Sequence, residues 1–305
     1  MLDIKYIRDN LDVVREASRK KHHPVDLDRL VELDDERKAL GQELDALRAR
    51  QNTKSAEIAK AAAEDRQGMI DGVAELKSTI QGLEEKLRPI TEEWKELMYQ
   101  VPQVPDESVP EGKEDTDNVE IKVWGDKPDF DFTPKSHIDI MLNLGMVDFE
   151  RGSKVHGFRG YYLVDDGARL AWAIWNYANQ FFGDKGYVPV IPPTIVRKEN
   201  LYGTGHLPNE AEDIYKTQDD DYLIGTSEVS VTAYHSDEVL THDELPKKYL
   251  GFSPCYRREA GSYGKDTKGL IRVHEFHKVE QVIVCENSHE ESVSCLLYTS
   301  DAADD

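Results

Sequence analysis

Tyr256-Arg257-Arg258-Glu259-Ala260-Gly261-Ser262, continuing through Asp266 and Gly269 to Arg272-Val273-His274-Glu275-Phe276-His277-Lys278-Val279-Glu280, decides how the rest of the chain is read. A strand ending in Arg257 and Glu259 enters a loop with three glycines. An alternating Leu270, Ile271, Val273, Phe276, Val279 pattern then predicts a returning strand that brings Arg272 and Glu280 beside them. Two arginines, an aromatic ring and two carboxylates around such a loop are what an ATP-consuming acyl-activation site requires.

Upstream, Tyr222-Leu223-Ile224-Gly225-Thr226-Ser227-Glu228 reads as a strand turning into a polar tripeptide. On its own, Thr or Ser ahead of Glu suits a helix start. Before it, Gly167 to Tyr177 predicts a long helix ending near Gly183, followed by a strand over Tyr187-Val188-Pro189-Val190-Ile191-Pro192-Pro193. Ile138 to Leu142 reads as helix and Tyr161 to Val164 as strand.

The first hundred residues are helical. Ile7, Leu11, Val14 and Ala17 recur at helical spacing in a short entry that ends in Arg19-Lys20-Lys21. One long seam follows on Leu33, Leu40, Leu44, Leu47, Ile58 and Ala61, interrupted by Arg37, Gln51 and Lys54. A cleaner return seam uses Met69, Val73, Leu76, Ile80, Leu83, Leu87, Ile90, Trp94 and Leu97, with Glu64-Asp65-Arg66-Gln67-Gly68 as the turn. Two antiparallel helices of about 33 residues give an arm on the order of 50 Å long. Pro89 predicts a kink or local break in the second helix. Taken alone, the arm suits either a dimerisation coiled coil or an RNA antenna with phosphate-facing Arg37, Lys38, Arg48, Arg50, Lys54 and Lys60. Val101 to Asp117, rich in proline and acidic residues, reads as a linker ahead of an Asn118-Val119-Glu120-Ile121 strand.

A length of 305 residues allows about two domains, and no apolar run approaches the roughly 20 residues that span a bilayer. The start, Met1-Leu2-Asp3-Ile4-Lys5, has no apolar signal core. Cys255, Cys285 and Cys295 are unevenly spaced without a CxxC pair, which argues against a disulfide framework or zinc site and for a reducing cytoplasm. The formal charge of −22 opposes indiscriminate nucleic-acid binding, so an RNA partner has to be met by a local basic face. His274 and His277, at i and i+3 on a strand, face opposite sides and do not form a shared metal site. Cys255 reads as a small buried side chain.

The Tyr256 to Glu280 hairpin resembles motif 2 of class II aminoacyl-tRNA synthetases, in the form found in seryl-tRNA synthetases. The long helix with the Tyr187 to Pro193 strand resembles motif 1, and Thr226-Ser227-Glu228 resembles the family's amino-acid-binding tripeptide. The resemblance implies an α+β protein: an N-terminal antiparallel coiled-coil arm over 1–107, a linker over 108–117, and an antiparallel-sheet catalytic domain over 118–294 that is incomplete at its C-terminus. It implies serine-tRNA ligation, with Thr226, Ser227, Glu228, Arg257 and Glu280 on serine. Arg257, Arg258, Glu259, Arg272, Val273 and Phe276 would bind ATP, with Arg257 catalytic. Magnesium, tRNA(Ser), tRNA(Sec) as a further candidate, and a cytoplasmic homodimer complete the expectation. Glu275 stands where the family usually carries Gln, beside the expected nucleotide face, with a weaker hold on ATP as the expected effect.

From Cys295 to Asp305 the family pattern stops and no motif 3 follows. The tail reads as a non-native addition to a truncated, inactive chain. The rivals are a noncatalytic synthetase-like tRNA-binding protein and a structural coiled coil with a decayed domain.

Overall fold

The computed structural model describes residues 2–60, 66–123, 125–260, 268–288 and 290–292. They fall into two units, one up to Trp124 and one from Gly125. Among the described residues no helix is long and apolar enough to cross a membrane.

The first unit holds α1 (Ile4–Asp9), α2 (Leu11–Lys20), α3 (Leu27–Lys60) and α4 (Arg66–Gln100). The expected helical entry is divided at Asn10, whose side chain donates back to the Tyr6 carbonyl at 3.0 Å. Ile7 and Val14 are buried with Leu27, Leu30, Met98 and Val101, so the entry helices cover the base of the hairpin. Farther out, Leu44, Ile80 and Leu83 form the seam with Leu40, Leu47 and Leu87 packed on them. Arg29 pairs with Glu93 and Arg48 with Glu84, a descending order that makes α3 and α4 antiparallel.

On the arm, α4 runs through Pro89 without the local break that was one of the two expected outcomes there. Proline costs about 3 kcal/mol inside a helix, but Leu87 lies in the seam on one side and Trp94 is held under the Arg37 guanidinium, 4.0 Å from its ring centroid, on the other. Arg37 therefore fills its seam position as a flat cation on an aromatic face. α4 is also already helical at Arg66, so Arg66, Gln67 and Gly68 belong to the helix and not to the turn. Glu64, Asp65 and Ala61 lie outside the described residues, and so does the Met69 side chain.

Asp34 is fully buried on α3 and meets Arg8 at 3.0 Å, Arg37 at 3.2 Å and Lys38 at 2.6 Å. Burial pushes its carboxyl up, but bonds from Lys38 and Arg37 prevail and hold it below the usual aspartate range. Arg8 also reaches Asp35, so α1 is clipped to α3 through charge as well as through Ile7.

The linker after α4 is irregular and tied down. Arg19 grips both Glu111 oxygens at 2.8 and 2.9 Å, and Asp117 accepts the Lys113 N–H at 2.8 Å in front of a single 3-10 turn. The strand expected at Asn118 to Ile121 does not form: no partner strand pairs with it among the described residues, and Ile121 is 83% exposed. Alternation alone does not make a strand without a neighbour to satisfy its backbone.

The second unit runs α5 (His137–Asn143), β1 (Val147–Asp148), α6 (Phe149–His156), β2 (Tyr162–Leu163), α7 (Asp166–Gly183), β3 (Val188–Val190), β4 (Ile195–Val196), α8 (Lys198–Gly203), β5 (Tyr222–Leu223), α9 (Glu228–Thr232), β6 (Lys247–Tyr256) and β7 (Glu275–Val284). Its main sheet has the order β3-β6-β7, with β3 parallel and β7 antiparallel to β6. Leu250, Phe252 and Val279, the partner of Phe252, face α7, where Trp175 packs on Phe252 and His277 with ring centroids 5.2 and 4.8 Å apart. Gly251, Ser253 and Cys255 face the other way, as strand alternation requires. On that side Val196, Leu201, Leu207, Ile214, Ile224 and Val229 form a second core that seats the start of α9.

The α3 cluster generates a test. Asp34→Asn should lower stability by about 1–3 kcal/mol, because the three cations it leaves are themselves partly hydrated. A depressed carboxyl contributes fully above the ordinary aspartate value of about 3.9 and loses its contribution as pH falls through the folded value. The deficit of the variant, measured by urea denaturation, should therefore be present at pH 7 and shrink below about pH 4.

Candidate functional site

β7 begins at Glu275, and the register places Glu280 opposite Gly251. The gap left by Gly251 matters, because a Cβ there would stand 2.6 Å from the Ser227 hydroxyl. Through that gap Thr226 Oγ1 donates to Glu280 at 2.6 Å, Ser227 Oγ donates to Oε2 at 2.6 Å, and the Glu228 N–H reaches the same oxygen at 3.2 Å. Thr226 and Ser227 are buried, at 3% and 0% exposure. α9 does start at Glu228, as a helix-start reading requires, yet the Ser227 side chain makes no capping bond and instead donates to Glu280. Burial pushes the Glu280 carboxyl up, but Ser227, Thr226, the nearby Lys278 charge and the Glu228 N–H together hold it below the ordinary range.

Thr226, Glu228 and Arg257 line one cavity of about 330 Å³ with Leu201, His206 and Asp213. Glu280 backs Thr226 and is not part of that wall. Oε2 is filled, whereas among the described contacts Oε1 holds only the proton it shares from Thr226. Arg257 donates to the Gly225 carbonyl at 3.4 Å, and its guanidinium lies 5.6 Å from the Phe276 ring centroid. Its backbone is fixed by its N–H on the His274 carbonyl at 3.0 Å.

Arg272 pairs with Glu259 at 3.0 Å. Glu259 adopts φ 54°, a left-handed turn that returns its side chain toward Arg272. Val273 is buried nearby in the chain but lies before β7, as do Leu270 and Ile271, so the expected continuous strand is corrected to one that starts at Glu275. The approach is pinned by His137, whose Nε2 accepts the Leu270 N–H at 3.3 Å. Any side chain in place of Gly269, at φ 81°, would meet that imidazole.

Two residues expected at the nucleotide face lie elsewhere. Arg258 is exposed and lines a different cavity, because consecutive side chains of extended backbone point to opposite sides. Glu275 faces away from Phe276 for the same reason and lines a cavity with His156, Arg159, Tyr161 and Trp175. Its charge is therefore not beside Phe276. Gly261, Ser262 and Asp266 lie outside the described residues.

Sequence reasoning missed Asp213, whose carbonyl accepts the Arg258 N–H at 2.8 Å and whose carboxylate accepts the Ala260 N–H at 2.6 Å. It also missed His137. Neither sits in a local pattern; each is placed by a contact distant in sequence. His274 is not in a strand, and His277 stacks on Phe252 with ring centroids 5.8 Å apart. Cys255 is fully buried, and burial pushes its thiol up, away from the reactive thiolate.

On the arm, Arg37 and Lys38 are committed to Asp34 and Arg48 to Glu84 at 2.7 Å, while Arg50 is exposed. Lys54 lies half-buried beside Gly72. The Lys60 side chain lies outside the described residues.

Residues 1–105 match the family model of the seryl-tRNA synthetase N-terminal domain, and residues 213–301 match that of the class II tRNA synthetase core domain (G, H, P, S and T). The chain is 42% identical to a serine–tRNA ligase of Deinococcus radiodurans, covering 96% of this chain and 69% of that protein. It is 44% identical to one from Chloroherpeton thalassium, covering 95% and 71%. The crystal structure of Pyrococcus horikoshii seryl-tRNA synthetase complexed with ATP superposes with a TM-score of 0.76 at 35% identity, over 93% of this chain and 69% of that one. The cytoplasmic serine–tRNA ligase of Naegleria fowleri in complex with AMP superposes with a TM-score of 0.75 at 31% identity, over 96% and 68%.

Gly251→Ala should displace Ser227 from Glu280 and cost about 2–3 kcal/mol in thermal or chemical unfolding, the penalty for disturbing buried bonds to a charged acceptor. Glu280 adds a pH signature. Its depressed carboxyl keeps the contribution intact above the ordinary value of about 4.3 and loses it as pH falls through the folded value. Glu280→Gln should therefore be less stable than the parent at pH 7 and approach it below about pH 4, as measured by urea titration at both pH values.

Proposed function

The chain belongs to the seryl-tRNA synthetase family, and from that membership we propose how its residues carry out the ligation of serine to tRNA. Glu228 takes the serine ammonium, with Thr226 and Ser227 shaping the pocket. Glu280 holds both hydroxyls in place, and its less occupied oxygen, Oε1, accepts from the serine hydroxyl. Alanine leaves that acceptor with only the proton it shares from Thr226, a far larger penalty than a missing methylene.

Arg257 bridges the serine carboxylate and the α-phosphate of ATP with its planar, permanently charged fork. Phe276 and Glu259 serve the adenine, Val273 offers backbone contacts, and Arg272 draws in the distal phosphates. Arg258, which faces the neighbouring cavity, is left out of this set. A serine carboxylate oxygen attacks the α-phosphorus, the bond to the β-phosphate oxygen breaks and pyrophosphate leaves. The terminal ribose hydroxyl of tRNA then attacks the carbonyl carbon, AMP leaves, and the hydroxyl proton passes to the departing phosphate. The carboxylate is already a nucleophile, so the first step needs positioning and neutralised charge in place of a general base. Magnesium accompanies the triphosphate, and Arg257 and Arg272 are the cations the protein brings to it.

The arm, with 1–107 as one domain and 108–117 as its linker, binds tRNA(Ser), and tRNA(Sec) where a cell has it. Arg50 and Lys54 are the cations on it most ready to meet phosphates; Arg37, Lys38 and Arg48 would have to exchange ion pairs to do so, and Lys60 completes the set. The catalytic domain covers 118–294 and pairs with a second copy in a cytoplasmic homodimer. Support for that pairing comes from apolar side chains exposed on α7: Trp172 lines a cavity of about 440 Å³ that reaches Ile191, and Ile174 and Tyr177 are exposed on another face of the helix.

The observation that carries the reading is the bonding of Thr226, Ser227 and the Glu228 N–H to Glu280, more than fifty residues away. A non-hydrolysable sulfamoyl analogue of seryl-adenylate should bind by calorimetry at least about a hundredfold more tightly than the alanyl analogue. Glu280→Gln should erase most of that preference, and equal affinities in the parent chain would refute the assignment.

A further inference from the structure

Among the residues placed on ATP above, only Glu259 has a left-handed backbone, at φ 54°. A residue with a Cβ holds that conformation where contacts on both sides impose it. Here both contacts come from one residue. Asp213 accepts the Arg258 N–H on its carbonyl at 2.8 Å and the Ala260 N–H on Oδ1 at 2.6 Å, so Glu259 is bracketed by two bonds to the same partner. Asp213 is itself anchored outside the hairpin: its N–H donates to the Glu210 carbonyl at 2.9 Å, and Ile214 beside it belongs to the core of Leu201, Leu207 and Ile224. Beyond the turn, Arg272 donates to Glu259 Oε2 at 3.0 Å, and the Glu259 side chain is only 13% exposed.

The two legs of the bracket differ in what removes them. The carbonyl leg belongs to the backbone and survives any side chain at position 213, whereas the carboxylate leg is the side chain's own. Without the second leg the peptide after Glu259 loses its fixed partner, φ is released to the favoured negative range, and the Cα–Cβ bond aims the carboxylate elsewhere. An acceptor that selects between bases works only while its place is fixed. The 6-amino group of adenine donates to it, but the 6-oxo group of a guanine or hypoxanthine base sets acceptor against acceptor. We propose that Asp213 is a positioning residue for base selection, holding Glu259 where its carboxylate takes the 6-amino group of adenine and turns 6-oxo purines away. This rests on the reading of Glu259 as the adenine acceptor. Asp213 also lines the serine cavity with Glu228 and Arg257, so a direct bond to the serine ammonium is the rival role, and the test separates the two.

The test measures by calorimetry how the whole chain binds two non-hydrolysable ligands, the sulfamoyl analogue of seryl-adenylate and its counterpart with hypoxanthine in place of adenine. The parent should prefer the adenine ligand about tenfold or more, the scale of one hydrogen bond to a charged acceptor. Asp213→Ala should reduce that preference to about threefold or less. Asp213→Asn, whose amide oxygen still accepts the Ala260 N–H, should keep the parent's preference. The preference is a ratio within one variant, so a smaller folded fraction weakens both ligands alike and cancels; if the alanine variant does not fold, Asp213→Ser, too short to reach the Ala260 N–H, takes its place. An alanine variant that keeps the parent's preference overturns the proposal, and if its two affinities have fallen together Asp213 is assigned to the serine end. An asparagine variant that loses the preference as fully as alanine also overturns it, because charge and not the bracket then decides. A parent with no preference refutes the adenine role of Glu259 itself, and is told apart by failing before any substitution is made.

Discussion

One carboxylate, two hydroxyls and a missing side chain hold the candidate site in its geometry. Glu280 sits inside the sheet, where an unpaired charge would be costly, and Thr226, Ser227 and the Glu228 N–H supply the donors that make it tolerable. They reach it only because position 251 is glycine. The same bonds fix the first turn of α9, so the residue that would meet an ammonium, Glu228, is oriented by a group that lies behind it. The core of Leu201, Ile224 and Val229 seats the segment, and the hydrogen bonds set its rotation.

Around that point the sheet separates two tasks. Gly251, Ser253 and Cys255 with Phe276, Lys278 and Glu280 form the face turned toward the site, while Phe252, His277 and Val279 pack beneath Trp175 of α7. Ser253, Lys278 and Glu280 thus share one side of the two strands. The arginines after β6 continue the alternation, which sends Arg257 and Arg258 into separate spaces.

Much of this was legible in the chain. The helical seams of the arm follow from apolar residues at steps of three and four, and α7 from its composition. The hairpin follows from two apolar runs about a glycine-bearing loop. The errors arise where contacts distant in sequence decide the outcome. Which side of a strand a residue occupies depends on where the strand begins, and an apparent alternation from Leu270 hid the true start at Glu275. Glu275 was put beside the nucleotide face from its position in the family pattern, and strand alternation turns it to the other side. Asn118 to Ile121 had the pattern of a strand but no neighbour to pair with. Pro89 had the chemistry of a break, but packing from α3 on both sides of it outweighed the local preference. Asp213 and His137 act through side-chain hydrogen bonds that span 47 and 133 residues, for which no local spacing exists.

The ten-residue β6 is paired with β7 without a bulge from Lys247 to Tyr256. Substitution at one of its positions alters one contact, whereas insertion or deletion of a single residue exchanges the two faces of everything beyond it. Cys255 and Ser253 would turn to α7, Phe252 would turn to the polar site, and the two arginines would trade cavities. The strand is therefore open to change in composition and closed to change in length, so descendants of this chain should diverge there by replacement and accumulate their length differences in the loops between elements.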